Sequence, residues 1–252
     1  MTTSTFSIIS NNRFYAKLPV WIKRFLQIGW SLILVLQDII HIKVNLRNSK
    51  KLDNILKITF NSNFIRPIQI REEIKNLLLI LDKVKPKVIL EIGTARGGTL
   101  FLFSNIADEE ATLISVDLYQ TVEKRILFRY IKKGKQKIFL IQGDSHKIEI
   151  LRKIKGILKG RNVDFLFIDG DHSYEGVKKD FEMYSPLVRK GGIIAFHDIV
   201  PDYYTKYGIK TSSWAGEVYK FWNEIKGKYE HLEIIKDRNQ DGYGIGVLFV
   251  KY

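Results

Sequence analysis

The stretch Val88-Ile-Leu-Glu-Ile-Gly-Thr-Ala-Arg-Gly-Gly-Thr-Leu100 combines an apolar strand, a glycine-rich turn and the start of a helix. Glycines at such a turn let the backbone approach a ligand closely, and the following helix N-terminus offers unpaired N–H groups. We therefore predict that Gly93, Thr94, Gly97 and Gly98 bind a nucleotide-like ligand. Several adenosine-containing ligands are bound in this way, so the turn alone does not choose between them.

Short runs rich in β-branched residues surround this turn and alternate with helical patterns. The expected strands are 88–92, 112–116, 138–141, 165–168 and 193–196. Such alternation predicts a doubly wound, Rossmann-like α/β domain with five parallel strands. Residues 232–235 and 244–250 predict an antiparallel C-terminal hairpin, which completes a seven-stranded, mostly parallel sheet.

Composition limits the chemistry that the chain can perform. The 252 residues include no cysteine, which excludes disulfides, thiolate metal sites and cysteine nucleophiles and fits a cytoplasmic location. Any metal ion must therefore be held by oxygen or imidazole ligands. The net charge is +14, and residues 1–86 hold 14 Lys and Arg against 5 Asp and Glu. This basic flank suits nucleic acid, anionic lipid or an acidic partner, or is simply solvated.

The most apolar stretch, residues 28–40, lies in a basic helical N-terminal extension that we assign to residues 1–68. Gln37 and Asp38 interrupt the stretch, and it is shorter than the roughly 20 residues that span a bilayer, so no spanning helix is expected. With residues 18–24 it predicts one amphipathic helix. That helix either packs on the core or on a second copy of the chain, or lies in a membrane interface through residues 18–40, at the inner face of the plasma membrane.

Residues 45–63 are polar and basic and predict a connector, and the main domain is assigned to residues 69–252. Its first helix is predicted from apolar residues at helical spacing between Ile70 and Leu81, and Pro86 ends it. Glu72 and Glu73 lie in its first turn, where the helix dipole favours acids.

Acidic side chains stand at the ends of successive strands. Glu91 precedes the glycine turn, and a carboxylate there suits the cationic amino and sulfonium groups of S-adenosylmethionine better than a pyrophosphate. Asp117 ends the second strand, where it can accept both hydroxyls of an adenosine ribose. Asp144 and Ser145 follow the third strand, and an acid there can accept the adenine amino group. Each carboxylate alone could instead cap a helix, but their alignment predicts an S-adenosylmethionine site.

Asp169-Gly-Asp171-His172 follows the fourth strand, and His197-Asp198 follows the fifth. The carboxyl ends of parallel strands face one crevice, so three or four side chains of the kind that bind metals should lie together there.

These motifs resemble those of class I S-adenosylmethionine-dependent methyltransferases. The resemblance rests on the glycine turn, on Gly143-Asp-Ser145, on Ile168-Asp-Gly-Asp-His-Ser-Tyr-Glu-Gly-Val177 and on Gly191-Gly-Ile-Ile-Ala-Phe-His-Asp198. Within that class the chain is similar to a metal-dependent group that contains macrocin O-methyltransferase, rhamnosyl O-methyltransferases and the proteins named cephalosporin hydroxylase. The resemblance covers roughly residues 69–252 and does not extend to the N-terminal part.

The resemblance implies a divalent ion held by Asp169, His197 and Asp198. Mg²⁺ is the expected ion; relatives carry oxygen ligands at both positions of the second pair, so His197 opens the alternatives Mn²⁺ and Fe²⁺. A metal ion would lower the pKa of an acceptor hydroxyl. Asp171 and His172 are the candidate catalytic bases, with His172 the better match to neutral pH, unless it caps a helix or supports a metal ligand.

The segment 201–222 is rich in Tyr and Trp and directly follows the expected metal ligands. We interpret it as a lid and acceptor pocket, with Tyr203 and Trp214 lining the pocket and with Phe221 and Trp222 packed in a helix from residue 214 to 225.

The function predicted from these observations is O-methylation of a hydroxyl on a sugar, glycolipid or natural product. Methylation of RNA is an alternative prompted by the charge, but no RNA-binding module is recognised, so no specific nucleic acid partner is expected. A non-catalytic, membrane-associated protein that retains the fold is the other alternative.

Overall fold

The computed structural model describes residues 17–48 and 51–251. The predicted extension 1–68 therefore lies partly outside the described residues. The helices are α1 Val20–Asn48, α2 Leu52–Phe60, α3 Arg71–Val84, α4 Gly98–Ile106, α5 Val122–Ile131, α6 Ile148–Leu158, α7 Tyr174–Tyr184, α8 Tyr203–Tyr207 and α9 Val218–Ile225, with 3₁₀ turns at Ser185–Leu187 and Lys226–Lys228. The strands are β1 Val88–Ile92, β2 Thr112–Asp117, β3 Lys137–Gln142, β4 Val163–Ile168, β5 Val188–His197, β6 Glu230–Ile234 and β7 Ile245–Phe249.

The seven strands form one sheet in the order β3-β2-β1-β4-β5-β7-β6. Strands β1 to β5 are parallel, while β7 pairs antiparallel with β5 and with β6. The predicted doubly wound sheet with an antiparallel C-terminal pair is confirmed. Because β1 lies at the centre, between β2 and β4, the carboxyl ends of the strands that carry the predicted site residues meet along one edge.

Helices cover both faces of the sheet. On one face, α1 to α5 pack into a core that includes Ile42, Leu56, Leu78, Phe103 and Leu127. On the other face, α6, α7 and α9 pack into a second core. The buried strands carry apolar side chains toward both layers, as the continuous apolar runs of the sequence predict.

The connector predicted over residues 45–63 is wrong for its centre, because residues 52–60 form helix α2. Ile55, Leu56 and Ile58 recur at helical spacing and are buried in the core. The surrounding Asn and Lys residues mask this short apolar pattern in the sequence. Ser49 and Lys50, within the same stretch, lie outside the described residues.

Asp38 ties α1 to the domain. Its carboxylate is buried and accepts hydrogen bonds from the hydroxyl of Ser62 and from the backbone N–H groups of Asn63 and Phe64, the latter at 2.8 Å. Nearer the N-terminus of the helix, Ser31 Oγ donates to Glu123 on α5 at 2.6 Å. The C-terminal half of α1 is therefore part of the folded domain.

Glu73 joins α3 to the C-terminal hairpin. Its buried carboxylate accepts hydrogen bonds from the backbone N–H groups of Lys236 and Gly244 and from the side chain of Gln240. The sequence predicted Glu73 in the first turn of a helix. The structure shows in addition that its carboxylate accepts hydrogen bonds from donors between residues 236 and 244.

Glu91 places a carboxyl group in the central strand β1. It is fully buried, and it accepts hydrogen bonds from Thr99 Oγ1 at 2.6 Å and from Ser115 Oγ at 3.1 Å. Burial raises the pKa of Glu91 to about 8, although these two hydrogen bonds oppose the shift. The carboxyl group is therefore largely protonated at neutral pH.

Replacing Asp38 by Ala should destabilise the fold by about 1–3 kcal/mol, because the substitution leaves buried N–H donors without an acceptor. Urea unfolding monitored by circular dichroism measures this loss. The exposed neighbour Gln37 is the control, and Gln37→Ala should change the free energy of unfolding by less than about 0.5 kcal/mol. Equal stability of Asp38→Ala and the unmodified chain would mean that α1 is not held in this way.

Replacing Glu91 by Gln should change how stability depends on pH. In the folded state Glu91 keeps a proton that the unfolded chain releases above the ordinary pKa of 4.5. The stability that this protonated group contributes is therefore fully present below pH 4.5 and is lost as pH rises through about 8. Gln cannot ionise, so the variant should gain stability relative to the unmodified chain between about pH 5 and pH 9. Urea unfolding across this range tests it, with exposed Glu110→Gln as the control. Parallel curves for Glu91→Gln and the unmodified chain would contradict the prediction.

Candidate active site

Two adjoining cavities open at the carboxyl edge of the sheet. The first, which we call the cofactor cavity, has a volume of about 500 Å³ and is lined by the ends of β1, β2, β3 and β4. The second, the acid–histidine cavity, has a volume of about 270 Å³ and is lined by the ends of β1, β4 and β5 and by residues 66–69 and 212–214. Gly93, Ala95 and Asp169 line both cavities.

The glycine turn fits tightly against its neighbours. Gly93 has a φ of +86°, and a Cβ at this position would lie 1.9 Å from the backbone oxygen of Asp169. Gly98, the first residue of α4, also approaches the backbone of Ile65, because a Cβ there would lie 2.4 Å from its oxygen. Gly97 has a φ of +92° and packs under Phe128. A side chain is therefore excluded at each of these three glycines.

Asp117 holds the turn from the neighbouring strand. Its Oδ2 accepts hydrogen bonds from the backbone N–H groups of Thr94 at 2.9 Å and Ala95 at 2.7 Å, and its Oδ1 accepts one from Tyr119. Asp117 also lines the cofactor cavity, as do Asp144 and Ser145. The structure therefore brings together the residues predicted to contact the ribose and the adenine.

Glu91 does not line either cavity. It lies behind the turn, where Thr99 and Ser115 enclose its carboxyl group. The sequence places this acid beside the turn correctly, but the alternation of side chains along β1 directs it into the interior. A direct contact with a bound ligand, as the sequence suggested, is not present in this geometry.

Asp169, His172 and Asp198 form a cluster in the acid–histidine cavity, and one ligand atom from each lies within 4.8 Å of the others. His172 Nε2 lies 3.5 Å from Asp169 Oδ1, and His172 Nδ1 lies 3.4 Å from Asp198 Oδ2. Burial would lower the pKa of His172, but the two carboxylates raise it overall.

His197 adjoins this cluster, lines the same cavity and is almost fully buried. Its Nδ1 is 3.2 Å from Asp169 Oδ1 and 3.1 Å from Asp198 Oδ2. Burial would lower the pKa of His197, but the two carboxylates raise it well above its ordinary value. Conversely, burial would raise the pKa of Asp169, and the imidazoles of His197 and His172 together lower it. Among the described residues, neither His197 Nε2 nor His172 Nδ1 has a hydrogen-bond partner.

Asp171 is separated from this cluster. Its carboxylate is exposed, accepts a hydrogen bond from the backbone N–H of Ser173 at 2.8 Å and lines the cofactor cavity. Asp171 and His172, the two candidate bases, therefore line different cavities. They are consecutive in the loop, and their side chains point to opposite sides of it.

Sequence reasoning missed two partners of the acids. Gln69 Nε2 donates to Asp169 Oδ2 at 2.7 Å, and the backbone N–H of Tyr243 donates to Asp198 Oδ1 at 3.0 Å. Gln69 lies two residues before α3, and Tyr243 lies in the turn before β7, so each is far from its partner in sequence. The backbone of Asp198 has a φ of +62°, which only the folded context enforces.

The aromatic segment divides between pocket and packing. Trp214 lines the acid–histidine cavity, and its ring stacks on His172 with centroids 5.1 Å apart. Phe221 and Trp222 are buried, as predicted. Helix α9 begins at Val218 rather than at Trp214, and Tyr203 packs against Tyr207 instead of lining either cavity, so these two expectations are wrong.

A family model described as a methyltransferase domain matches residues 90–199. This range includes every cofactor, metal and catalytic residue predicted from the sequence. An uncharacterized protein of Acanthamoeba polyphaga mimivirus is 31% identical over 115 residues, which cover 43% of this chain and 50% of that protein. The chain therefore matches about half the length of this relative.

Three solved O-methyltransferase structures have a similar fold. The enzyme from Bacillus cereus in complex with SAH has a TM-score of 0.58 at 16% identity, covering 79% of this chain and 90% of that chain. TomG from Streptomyces achromogenes, in complex with SAM, has a TM-score of 0.57 at 14% identity, covering 80% and 89%. A putative caffeoyl-CoA O-methyltransferase from Staphylococcus aureus has a TM-score of 0.56 at 21% identity, covering 84% and 99%. Residues 90–199 therefore match a methyltransferase domain in sequence, and the seven-stranded, Rossmann-like fold around them is similar to that of solved O-methyltransferases.

Proposed function

We propose that this chain is an S-adenosylmethionine-dependent O-methyltransferase that uses a divalent ion and methylates a hydroxyl of a sugar, glycolipid or other natural product. The observation that supports this most strongly is the position of Asp169, which lines both the cofactor cavity and the acid–histidine cavity. An acceptor hydroxyl held at the cluster would adjoin a cofactor held in the first cavity. Catalysis of group transfer depends on this kind of proximity and alignment.

The cofactor cavity offers the contacts that S-adenosylmethionine requires. Asp117 can accept a hydrogen bond from one ribose hydroxyl through Oδ1 while it keeps its three backbone contacts, since an ionised carboxylate has about four acceptor positions. Asp144 and Ser145 stand where they can contact the adenine. S-adenosylmethionine supplies an activated methyl group on a sulfonium when it is bound.

The cluster fits a divalent ion because two carboxylates and an imidazole converge and the buried Nδ1 of His172 lacks a hydrogen-bond partner among the described residues. Oxygen ligands suit Mg²⁺, whereas an imidazole in the set favours Mn²⁺ or Fe²⁺. The bound ion would act as a Lewis acid that lowers the pKa of the acceptor hydroxyl.

The two histidines take different roles in this proposal. His172, whose ring belongs to the convergent set, is the third ligand beside Asp169 and Asp198. His197, which the sequence suggested as a ligand, has its Nδ1 against both carboxylates and positions them. Such outer contacts orient ligands and tune their basicity. This assignment makes His172 a ligand rather than a base and takes His197 out of the ligand set that the sequence suggested.

The acceptor side of the cavity favours a polar ring. Trp214 presents an exposed aromatic face, and Arg66, Arg96, Ser212 and Ser213 supply hydrogen-bonding groups around it. An aromatic platform with a few polar groups suits a sugar or a planar natural product. The comparisons favour neither RNA methylation nor a non-catalytic role.

Asp117→Ala and Asp169→Ala should separate cofactor binding from turnover. Loss of Asp117 should raise the dissociation constant of S-adenosylmethionine by about tenfold to hundredfold, because charge-assisted hydrogen bonds disappear. Asp169→Ala should abolish methyl transfer and leave cofactor binding nearly intact. Calorimetric titration measures binding, and transfer of radiolabelled methyl groups to a panel of glycosides and glycolipids measures turnover.

The control for both variants is Glu110→Ala, which removes an exposed carboxylate near the opposite edge of the sheet. No binding of S-adenosylmethionine by the unmodified chain, with or without Mg²⁺ or Mn²⁺, would contradict the proposal. Loss of cofactor binding in Asp169→Ala would mean that the metal role of Asp169 is wrong.

His172→Ala tests the ligand assignment. The variant should bind Mn²⁺ at least about tenfold more weakly, as measured by electron paramagnetic resonance of the free ion. Unchanged Mn²⁺ affinity together with lost turnover would instead identify His172 as the base. His231→Ala, which removes an imidazole remote from the cavities, is the matched control.

A further inference from the structure

Helix α1 exposes a row of apolar side chains that the domain does not cover. Ile33, Leu36, Ile40 and Val44 follow helical spacing, and each is about half exposed. We call these four residues the apolar stripe. The opposite face of the same helix, with Val35 and Ile42, is buried in the core. Toward the N-terminus, large side chains project still further, since Val20, Trp21 and Phe25 are each more than 70% exposed.

Basic side chains lie beside the apolar stripe on α1, and exposed acidic side chains of α1 do not. Lys43 and Arg47 lie three and seven residues beyond Ile40, on the same side of the helix, and both are exposed. Asp38 is the only acidic residue in the sequence of α1, and it is buried against Ser62. The exposed surface of this helix is therefore apolar and positively charged.

Two basic grooves continue this surface beside α1 and α5. The first has a volume of about 760 Å³ and an apolar floor, and its cations are Lys43, Arg47, Lys51, Lys85, Lys132 and Lys133. Asp82 is the only acidic residue that lines it, and it is paired with Lys85. The second has a volume of about 370 Å³ and is lined by Arg125, Arg129, Lys132 and Lys137, with no acid among the residues that line it.

We propose that the apolar stripe and the two basic grooves bind this protein peripherally to an anionic lipid bilayer. The stripe would enter the interface between headgroups and acyl chains, and the cations of the grooves would contact lipid phosphates. An amphipathic helix with a basic border binds membranes through this combination of apolar burial and attraction to anionic lipid. The exposed Trp21 suits the same interface, where Trp is enriched.

Three other occupants fit these observations less well. A helix that spans the bilayer has sufficient length and hydropathy in residues 20–47, but the bonds of Asp38 and the buried Val35 and Ile42 hold its C-terminal half on the domain. A second copy of the chain packed on the stripe would enclose Lys43 and Arg47 in an interface to which α1 contributes no exposed acid. A nucleic acid would use the cations and leave the apolar stripe without a role.

The test is co-sedimentation of the full chain with lipid vesicles, without S-adenosylmethionine or an acceptor, so that its outcome is independent of the proposed activity. Vesicles that contain phosphatidylglycerol should bind the protein, and vesicles of phosphatidylcholine alone should bind it weakly. Lys43→Gln combined with Arg47→Gln should reduce partitioning to the anionic vesicles by roughly thirtyfold. Ile40→Ser combined with Val44→Ser should reduce binding to both kinds of vesicle.

The matched control is Lys153→Gln combined with Lys155→Gln, which removes the same charge from exposed positions of α6 on the opposite face of the sheet. It should bind nearly as the unmodified chain does, because charges farther away than about 8 Å are screened at physiological salt. All substituted side chains are exposed, and urea unfolding should verify that each variant remains folded.

Four results would overturn the proposal. Equal binding to both kinds of vesicle would show that the cations do not contribute to binding. An equal loss of binding in the control variant would show that the position of the cations on the protein does not matter. Membrane-bound protein that resists extraction by alkaline carbonate would indicate a spanning helix. Absence of vesicle binding, together with a dimer in sedimentation velocity that Ile40→Ser and Val44→Ser dissociate, would make the stripe a contact between copies.

Discussion

The close contact between Gly93 and the backbone of Asp169 is the constraint on which the site depends. Asp169 also donates its backbone N–H to Ile92 at 2.8 Å, so the ends of β1 and β4 are held together at this point. Because no side chain fits between them, the glycine turn and the first acid after β4 form a common wall. Both cavities share that wall, so a ligand in one would lie directly beside a ligand in the other. The proposed transfer between two bound molecules therefore depends on the absence of a Cβ at Gly93.

Side chains of β1 and β2 stabilise the glycine turn further. Asp117 satisfies two N–H groups of the turn, and Glu91 accepts hydrogen bonds from Thr99 and Ser115 behind it. The turn is therefore held from the front by an acid at the cavity and from the back by a protonated acid in the core. Asp117 and Glu91 lie on adjacent strands but differ in burial. Asp117 therefore lines the cofactor cavity, whereas Glu91 forms hydrogen bonds inside the core.

The sequence predicted the sheet well because each strand is a short apolar run that ends in a recognisable acid or glycine. It also predicted that Asp169 and Asp198 would meet, since the ends of adjacent parallel strands must converge. It could not predict that Glu91 points inward, that His172 rather than His197 lies in the convergent set, or that Gln69 reaches Asp169. These features depend on side-chain direction and on contacts between distant segments, neither of which local pattern specifies. Helix α2 was missed because it is short and its few buried positions lie within a stretch of Asn and Lys residues.

Glu73 connects positions separated by 171 residues when it accepts the N–H of Gly244. Contacts of such high sequence separation form late, because the loop between them must close first. During synthesis the N-terminal helices and the first five strands emerge well before β6 and β7, and the edge of β5 stays unpaired until β7 arrives between β5 and β6. An unpaired strand edge is a template for association between chains. Strands β6 and β7 therefore complete the sheet and also end the interval in which the nascent protein is most exposed to aggregation.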